Sequence, residues 1–197
     1  VQFSSVAPEG ALLAPGESLI TIQGDVRAIL SAERCALNYL MRLCGIATGS
    51  RRAAEAIPKD CRAQIFDTRK TTPGWRRLEK AAVATGGAQN HRFGLFDAVL
   101  IKDNHIAAAG SIEQAIRQCR QNAPEGMVVQ VEIDTLEQLG PALSAHPDII
   151  LLDNFSLEDL AKAVTHTQEQ CLLEASGGVT LATIPAIAQT GVHRISM

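Results

Sequence analysis

No stretch of this 197-residue sequence approaches the ~20 consecutive apolar residues that a membrane-spanning helix requires. None combines a cationic leader, an apolar core and a cleavage site. A membrane partner is therefore not expected. Positive charge is not in excess either: the net charge is −3, whereas nucleic-acid-binding surfaces show as basic stripes. A nucleic-acid partner is not expected. The sequence has no C-x-x-C pair, and its five cysteines (Cys35, Cys44, Cys61, Cys119, Cys171) are odd in number and widely spaced. That spacing argues against a disulfide framework and points to reduced, mostly buried thiols in a cytoplasmic protein. No His/Cys spacing suggests a transition-metal site.

What remains is ordinary globular composition, 46% hydrophobic and 20% charged, enough for one domain or for a large domain with a fragment of another. The chain opens at "VQFSSV" without Met and stops at "HRISM", inside a strand-like run. A part of a longer protein is the expectation. "GALLAPGESLITIQG" has β character broken by Gly and Pro and suggests a short hairpin or sheet piece. From Val26 to Ile57 the spacing turns helical, carried by Ile29, Leu30, Leu37, Leu40, Met41 and Leu43, with a break expected at Gly45 and Gly49.

Beyond residue 57 apolar runs alternate with amphipathic ones. The runs at 63–66, 98–101, 128–133, 148–153, 171–175 and 192–196 predict strands. Helices are expected near 76–85, 111–122, 135–145, 156–169 and 180–189. Such βα alternation fits either an open parallel sheet or a barrel. Nearly every strand ends on charged or hydrogen-bonding residues: Thr68-Arg69-Lys70, Lys102-Asp103-Asn104, Glu132-Ile133-Asp134, Asp153-Asn154 and Glu174-Ala175-Ser176. A barrel gathers its strand ends at one mouth, whereas an open sheet spreads them along a line. The barrel is favoured.

Arg69 and Lys70 stand side by side in "DTRKTTPGW", and His91, Arg92 and Lys102 fall at or near the same expected mouth. Gathered there without an anion, such charges repel. Arg offers a fork that matches carboxylate or phosphate and Lys a point charge, so the mouth suits a polyanion. Glu132 and Asp153 close neighbouring apolar strands. They could pair with those cations, bind hydroxyls, or coordinate Mg²⁺ directly or through waters. Ser176-Gly177-Gly178 ends a strand before a helix expected near Thr180, a setting that brings backbone N–H groups to a phosphate. Lys102 in "VLIKD" also admits a Schiff base with a carbonyl substrate, if an apolar pocket depresses its pKa. The residues by themselves thus support a barrel that binds a polyphosphorylated or polycarboxylated small molecule together with Mg²⁺.

At "ERCALNYLMRLCGIAT", "DTRKTTPGWRRLEKAAVATGGAQNHRFGLFDAVLIKDNHI", "VEIDTLEQL", "ILLDNFS" and "LEASGGV" the sequence resembles the quinolinate phosphoribosyltransferase family. The resemblance implies an α/β fold of the type II phosphoribosyltransferase kind. Residues 1–33 would be the remnant of an N-terminal α/β sandwich domain with its connecting helix, and residues 34–197 an incomplete α/β barrel catalytic domain. It implies a transferase converting quinolinate and 5-phosphoribosyl 1-pyrophosphate to nicotinate mononucleotide, pyrophosphate and CO₂ in NAD synthesis, with Mg²⁺. By position, the quinolinate-binding cations match Arg69, His91, Arg92 and Lys102. Arg34 matches an arginine that enters from the neighbouring subunit of a homodimer or higher oligomer. Lys70, Glu132 and Asp153 match positions that engage the donor and its metal, Thr68 counts among the substrate-binding residues, and Lys102, Glu132 and Asp153 form the catalytic set. Ser176, Gly177 and Gly178 match the 5′-phosphate loop. Ala88 stands where the family usually has a third glycine, and Cys44 where it often has serine. The family's first elements and a final "SVGALTHS"-like segment have no counterpart in these residues. The alternatives are a related transferase acting on nicotinate, a Schiff-base lyase using Lys102, and a non-catalytic binding module.

Overall fold

The computed structural model describes residues 1–4 and 6–197. Strands β1 (Gln2–Ser4) and β2 (Thr21–Gln23) pair antiparallel, with Phe3 opposite Ile22. The hairpin suggested within residues 10–24 does not form; only its end enters a sheet. Pro15 lacks a ladder amide, and Gly10 and Gly16 turn at φ +73° and +88°, so the extended path is broken between them.

Helix α1 (Val26–Glu55) starts at Asp25, whose side chain accepts from the Ala28 amide. It runs unbroken through Gly45 and Gly49, against expectation. Each glycine costs about 1 kcal/mol relative to alanine, less than is gained by packing the helix along α2 (Arg76–Thr85). The approach is closest at Gly86, where an added Cβ would lie 2.3 Å from the Ala47 carbonyl oxygen. The boundary expected after residue 33 falls inside α1.

Six further strands form one parallel sheet: β3 (Gln64–Phe66), β4 (Val99–Ile101), β5 (Val129–Ile133), β6 (Ile149–Asp153), β7 (Leu172–Ser176) and β8 (Arg194–Ser196). All six coincide with expected runs to within a residue or two. Their spatial order is β3-β8-β7-β6-β5-β4. Strands β4 to β8 follow one another in chain order, and β3, the first of the set, lies against β8, the last. A sheet wound in one direction into a ring brings first and last together; a doubly wound open sheet reverses at a switch point instead. The contact missing from the ring is β3 with β4. The molecule is therefore an incomplete α/β barrel, open along one seam, with a small antiparallel sheet before it.

The helices between the strands are α3 (Asp103–Ala109), α4 (Ile112–Asn122), α5 (Leu139–Ser144), α6 (Leu157–Thr167) and α7 (Ile184–Gln189). Seven-residue α3 is too short to show a clear period, and the sequence pattern missed it. The helix expected over 135–145 is a 3₁₀ turn (Leu136–Gln138) leading into α5. The helix expected from Thr180 begins only at Ile184, after a turn in which the Thr180 amide donates to Thr183 Oγ1 at 2.9 Å.

Strand alternation divides the interior. Ile133, Leu152, Ala175, Ile195 and Ile65 form one row across the sheet, all buried and packed against the helices. The next row, Glu132, Leu151, Glu174, Arg194 and Gln64, faces the lumen. Ile149 and Leu151 are as buried as their neighbours yet stay outside the helix-packed cluster. The cysteines are all free, but none is fully buried, and Cys35 and Cys44 are exposed on α1, contrary to expectation. Among the described residues no helix is long and apolar enough to cross a membrane.

Candidate active site

The strand ends on the lumen side define the mouth, and β3 supplies its most basic segment. Asp67, just past the strand, accepts from Lys80 Nζ at 2.6 Å and from the His91 amide at 2.7 Å through the same carboxylate oxygen. Lys80 Nζ also donates to the His91 carbonyl at 2.9 Å. Both side chains of the ion pair are almost wholly buried. Gln89 bridges Phe66 on the free edge of β3, its amide donating to the Ile65 carbonyl at 2.8 Å. The "QNHR" segment is thereby laid along the seam, with His91 and Arg92 brought beside Arg69.

Arg69 and Arg92 feel each other directly. Burial pushes the Arg92 guanidinium down from its ordinary value and the positive charge of Arg69 pushes it further, with Asp97 opposing. Arg92 Nη1 donates to the Ala98 carbonyl at 3.0 Å. The loop around Arg69 is held from outside by Arg76, which donates to the Arg69 carbonyl, to Thr71 Oγ1 and to the Phe93 carbonyl, each at 3.0 Å. Thr68 Oγ1 accepts from the Lys70 amide at 3.1 Å and shapes the turn between them. Lys70 itself is exposed.

On the opposite side of the seam, Lys102 Nζ donates to Glu132 Oε2 at 2.6 Å. The salt-bridge alternative for Glu132 is thus realised in the free protein. The Lys102 side chain is 44% exposed. An exposed ammonium against a carboxylate is the opposite of the apolar pocket a Schiff-base lysine needs. The Lys102 amide donates to His105 Nδ1 at 2.9 Å, which fixes the backbone where β4 turns into α3.

Asp153 and Ser176 are register partners at the ends of β6 and β7. Asn154 adopts φ +57°, donates its amide to the Ser176 carbonyl at 2.9 Å and its side chain to Asp153 Oδ2 at 2.7 Å. A Cβ on Gly177 would lie 2.1 Å from Asn154 Oδ1, and φ there is +91°. Only glycine meets both demands. Gly178 is at φ +60°, and the loop is exposed. Because α7 begins six residues beyond Gly178, the helix N-terminus expected behind this loop is not there; any phosphate contact would come from the loop's own backbone and Ser176.

No group of three or more His, Cys, Asp or Glu among the described residues could hold a metal ion alone. Glu132 and Asp153 offer hard oxygen donors of the kind that share Mg²⁺ with substrate phosphates, so the donor set fits that use of the ion.

Arg34 is exposed on α1. Arg42, two turns further along, donates to Thr72 and to Glu79, and lies 5.7 Å from the Trp75 ring centroid. Trp75 stacks on Tyr39 with centroids 4.5 Å apart. The sequence reasoning missed Arg42, Asp67, Arg76 and Lys80. Asp67 and Lys80 carried a faint signal, a carboxylate closing a strand and a lysine on the buried stripe of a helix.

The family model described as quinolinate phosphoribosyl transferase, C-terminal domain, matches residues 46–197, and the N-terminal domain model matches residues 1–44. A Bacillus subtilis protein described as "probable nicotinate-nucleotide pyrophosphorylase (carboxylating)" is 47% identical over 189 residues, covering 96% of this chain and 65% of its own. A Synechocystis protein of the same description is 45% identical, covering 100% of this chain and 67% of its own. The crystal structure of NadC from Streptococcus pyogenes superposes with a TM-score of 0.95 at 42% identity, covering 100% of this chain and 69% of that one. The chain therefore spans about two thirds of the length of these relatives. With both family models matched in order along it, the chain belongs to the quinolinate phosphoribosyl transferase family.

Proposed function

We propose that the protein transfers the ribosyl 5-phosphate of 5-phosphoribosyl 1-pyrophosphate to the nitrogen of quinolinate, releasing pyrophosphate and CO₂ and leaving nicotinate mononucleotide. One observation carries this: the buried Asp67–Lys80 pair, which also holds the His91 backbone, fastens the loop bearing His91 and Arg92 to the end of β3, where the charge of Arg69 adds to burial in depressing the Arg92 guanidinium. A doubly charged ligand would relieve that repulsion. Within the family that matches, quinolinate is such a ligand, with two adjacent carboxylates.

Arg69 and Arg92 would bind those carboxylates, with His91 behind them, and orient the ring nitrogen toward the ribose C1, an entropic gain. Lys102 would leave Glu132 in part to reach the same dianion. Glu132 and Asp153 would then face the ribose hydroxyls and offset positive charge as the C1–O bond breaks. Lys70 would take the departing pyrophosphate, and Ser176 with the Gly177 and Gly178 backbone the 5′-phosphate. Mg²⁺, held through Glu132 or Asp153 and the donor's phosphates, would supply charge neutralisation for the leaving group. Once the nitrogen is ribosylated, the ring accepts the electron pair of the neighbouring carbon–carboxylate bond as CO₂ departs, and a proton replaces the carboxylate.

Arg34, on a helix that also exposes Leu30 and Met41, would enter the site of a second copy, making the protein a homodimer or higher oligomer. Its free cysteines suit the cytoplasm. The deciding experiment incubates the full polypeptide with quinolinate, donor and Mg²⁺ and follows CO₂ and pyrophosphate. Stoichiometric release of both is expected. Turnover of nicotinate in preference to quinolinate, or ligand binding without pyrophosphate release, would overturn the assignment.

A further inference from the structure

An ionised carboxylate in the middle of a barrel is costly, and a leucine would fill the same space at less cost. Glu174 is such a group. It is 0% exposed, in the lumen-facing row beside Leu151. Its Oε1 lies 3.4 Å from His91 Nε2 and its Oε2 lies 3.2 Å from Arg194 Nε. These contacts are electrostatic; neither oxygen has a hydrogen-bond partner of good geometry. Burial pushes the Glu174 carboxyl up, but His91, Arg194 and Ser196 outweigh it, leaving the group below the ordinary carboxylate value. The Arg194 guanidinium also stacks 3.6 Å over the Phe66 ring, which favours this position.

The His91 ring is engaged on both sides. Its Nδ1 accepts from the Arg92 amide at 2.8 Å, so the ring proton belongs on Nε2, facing Glu174. Other charged groups near this segment are spoken for: Asp67 and Lys80 bind each other and the His91 backbone, and Arg92 points to the Ala98 carbonyl. His91 therefore spans the lumen from the seam loop to the β7 wall.

Resting on the transferase assignment above, we infer that Glu174 is a positioning residue: it anchors the His91 imidazole across the lumen, and through the His91 Nδ1–Arg92 amide contact it sets where the Arg92 guanidinium meets the substrate dianion.

The test uses the full polypeptide with Glu174→Gln, Glu174→Asp and the double change Glu174→Gln with Arg194→Met. The double change guards against misfolding, since Glu174→Gln alone strands the Arg194 charge. Glu174→Gln should raise the quinolinate KM ~10-fold or more while the donor KM stays within about twofold. Glu174→Asp, which keeps the charge, should recover part of the loss. The double variant should melt near the parent temperature and still show the raised quinolinate KM. Full recovery of that KM in the double variant would reduce Glu174 to a structural counter-ion and overturn the proposal. Independently of activity, ¹⁵N NMR of the parent's histidines should show His91 as the Nε2–H tautomer, and Glu174→Gln should mix its tautomers. A parent His91 protonated on Nδ1, or a tautomer indifferent to Glu174, would also overturn it. A parent that fails to turn over quinolinate sinks the transferase assignment, and the NMR result still decides whether Glu174 holds His91.

Discussion

The two faces of each barrel strand obey different rules. On β5, Val129, Val131 and Ile133 face the helices and are almost fully buried, whereas Gln130 and Glu132 face the lumen. β6 and β7 repeat the division: Ile150, Leu152, Leu173 and Ala175 join the helix-packed cluster, while Asp153, Glu174 and Ser176 line the inside. A period of two is enough to place stability on one face and chemistry on the other. Strand register thus decides which of Glu132, Asp153 and Glu174 face the lumen, because a slip of one residue would exchange the faces.

That division can be broken most severely where both roles meet, at the Asp67–Lys80 pair. Lys80→Met leaves a buried carboxylate unpaired and unfastens the seam loop, and should cost about 3–5 kcal/mol, read as a fall in the urea midpoint together with loss of quinolinate turnover. On the helix-facing side, Ile150→Ala should cost about 2–4 kcal/mol of stability yet leave both KM values unchanged once the protein is folded. A shifted KM would blur the distinction between the faces. On the lumen side, Arg69→Ala should do the reverse, raising the quinolinate KM ~10–100-fold, about 1.4–2.7 kcal/mol, with the donor KM and the melting temperature little changed.

The smallest effect concerns pH. Burial raises the Glu79 carboxyl, but Arg42 and Thr72 outweigh it and hold the group below its ordinary value of 4.5. A group depressed by folding adds stability above that ordinary value and loses it as pH falls through the lower, folded one. The urea midpoint should be flat from neutral pH down to that ordinary value and decline below it, and Arg42→Met should remove part of the decline, about 1 kcal/mol or less.

The strands were legible because each is a short apolar run ending on a polar residue, and the barrel was legible because those ends carry charge. The cations proposed to bind substrate stand out in the sequence for the same reason. The supports were not. Asp67, Lys80 and Arg76 act through long-range contacts that no local period records, and Arg42 looks like any exposed helical arginine. Gly45 and Gly49 misled because their cost is small beside tertiary packing, and the turn at 180–183 misled because two threonines bond each other before a helix can start. In the sequence Glu174 is only a polar strand end; its burial is a property of the curled sheet.

The missing β3–β4 contact has a consequence for solubility. An unpaired strand edge is a template for another chain, and β3 would offer one, but Gln89 already occupies part of it by backbone pairing. The segment that carries His91 and Arg92 is therefore also the guard of the sheet's border. Substitutions that loosen it should show up as clumping of the purified protein as well as a lost reaction.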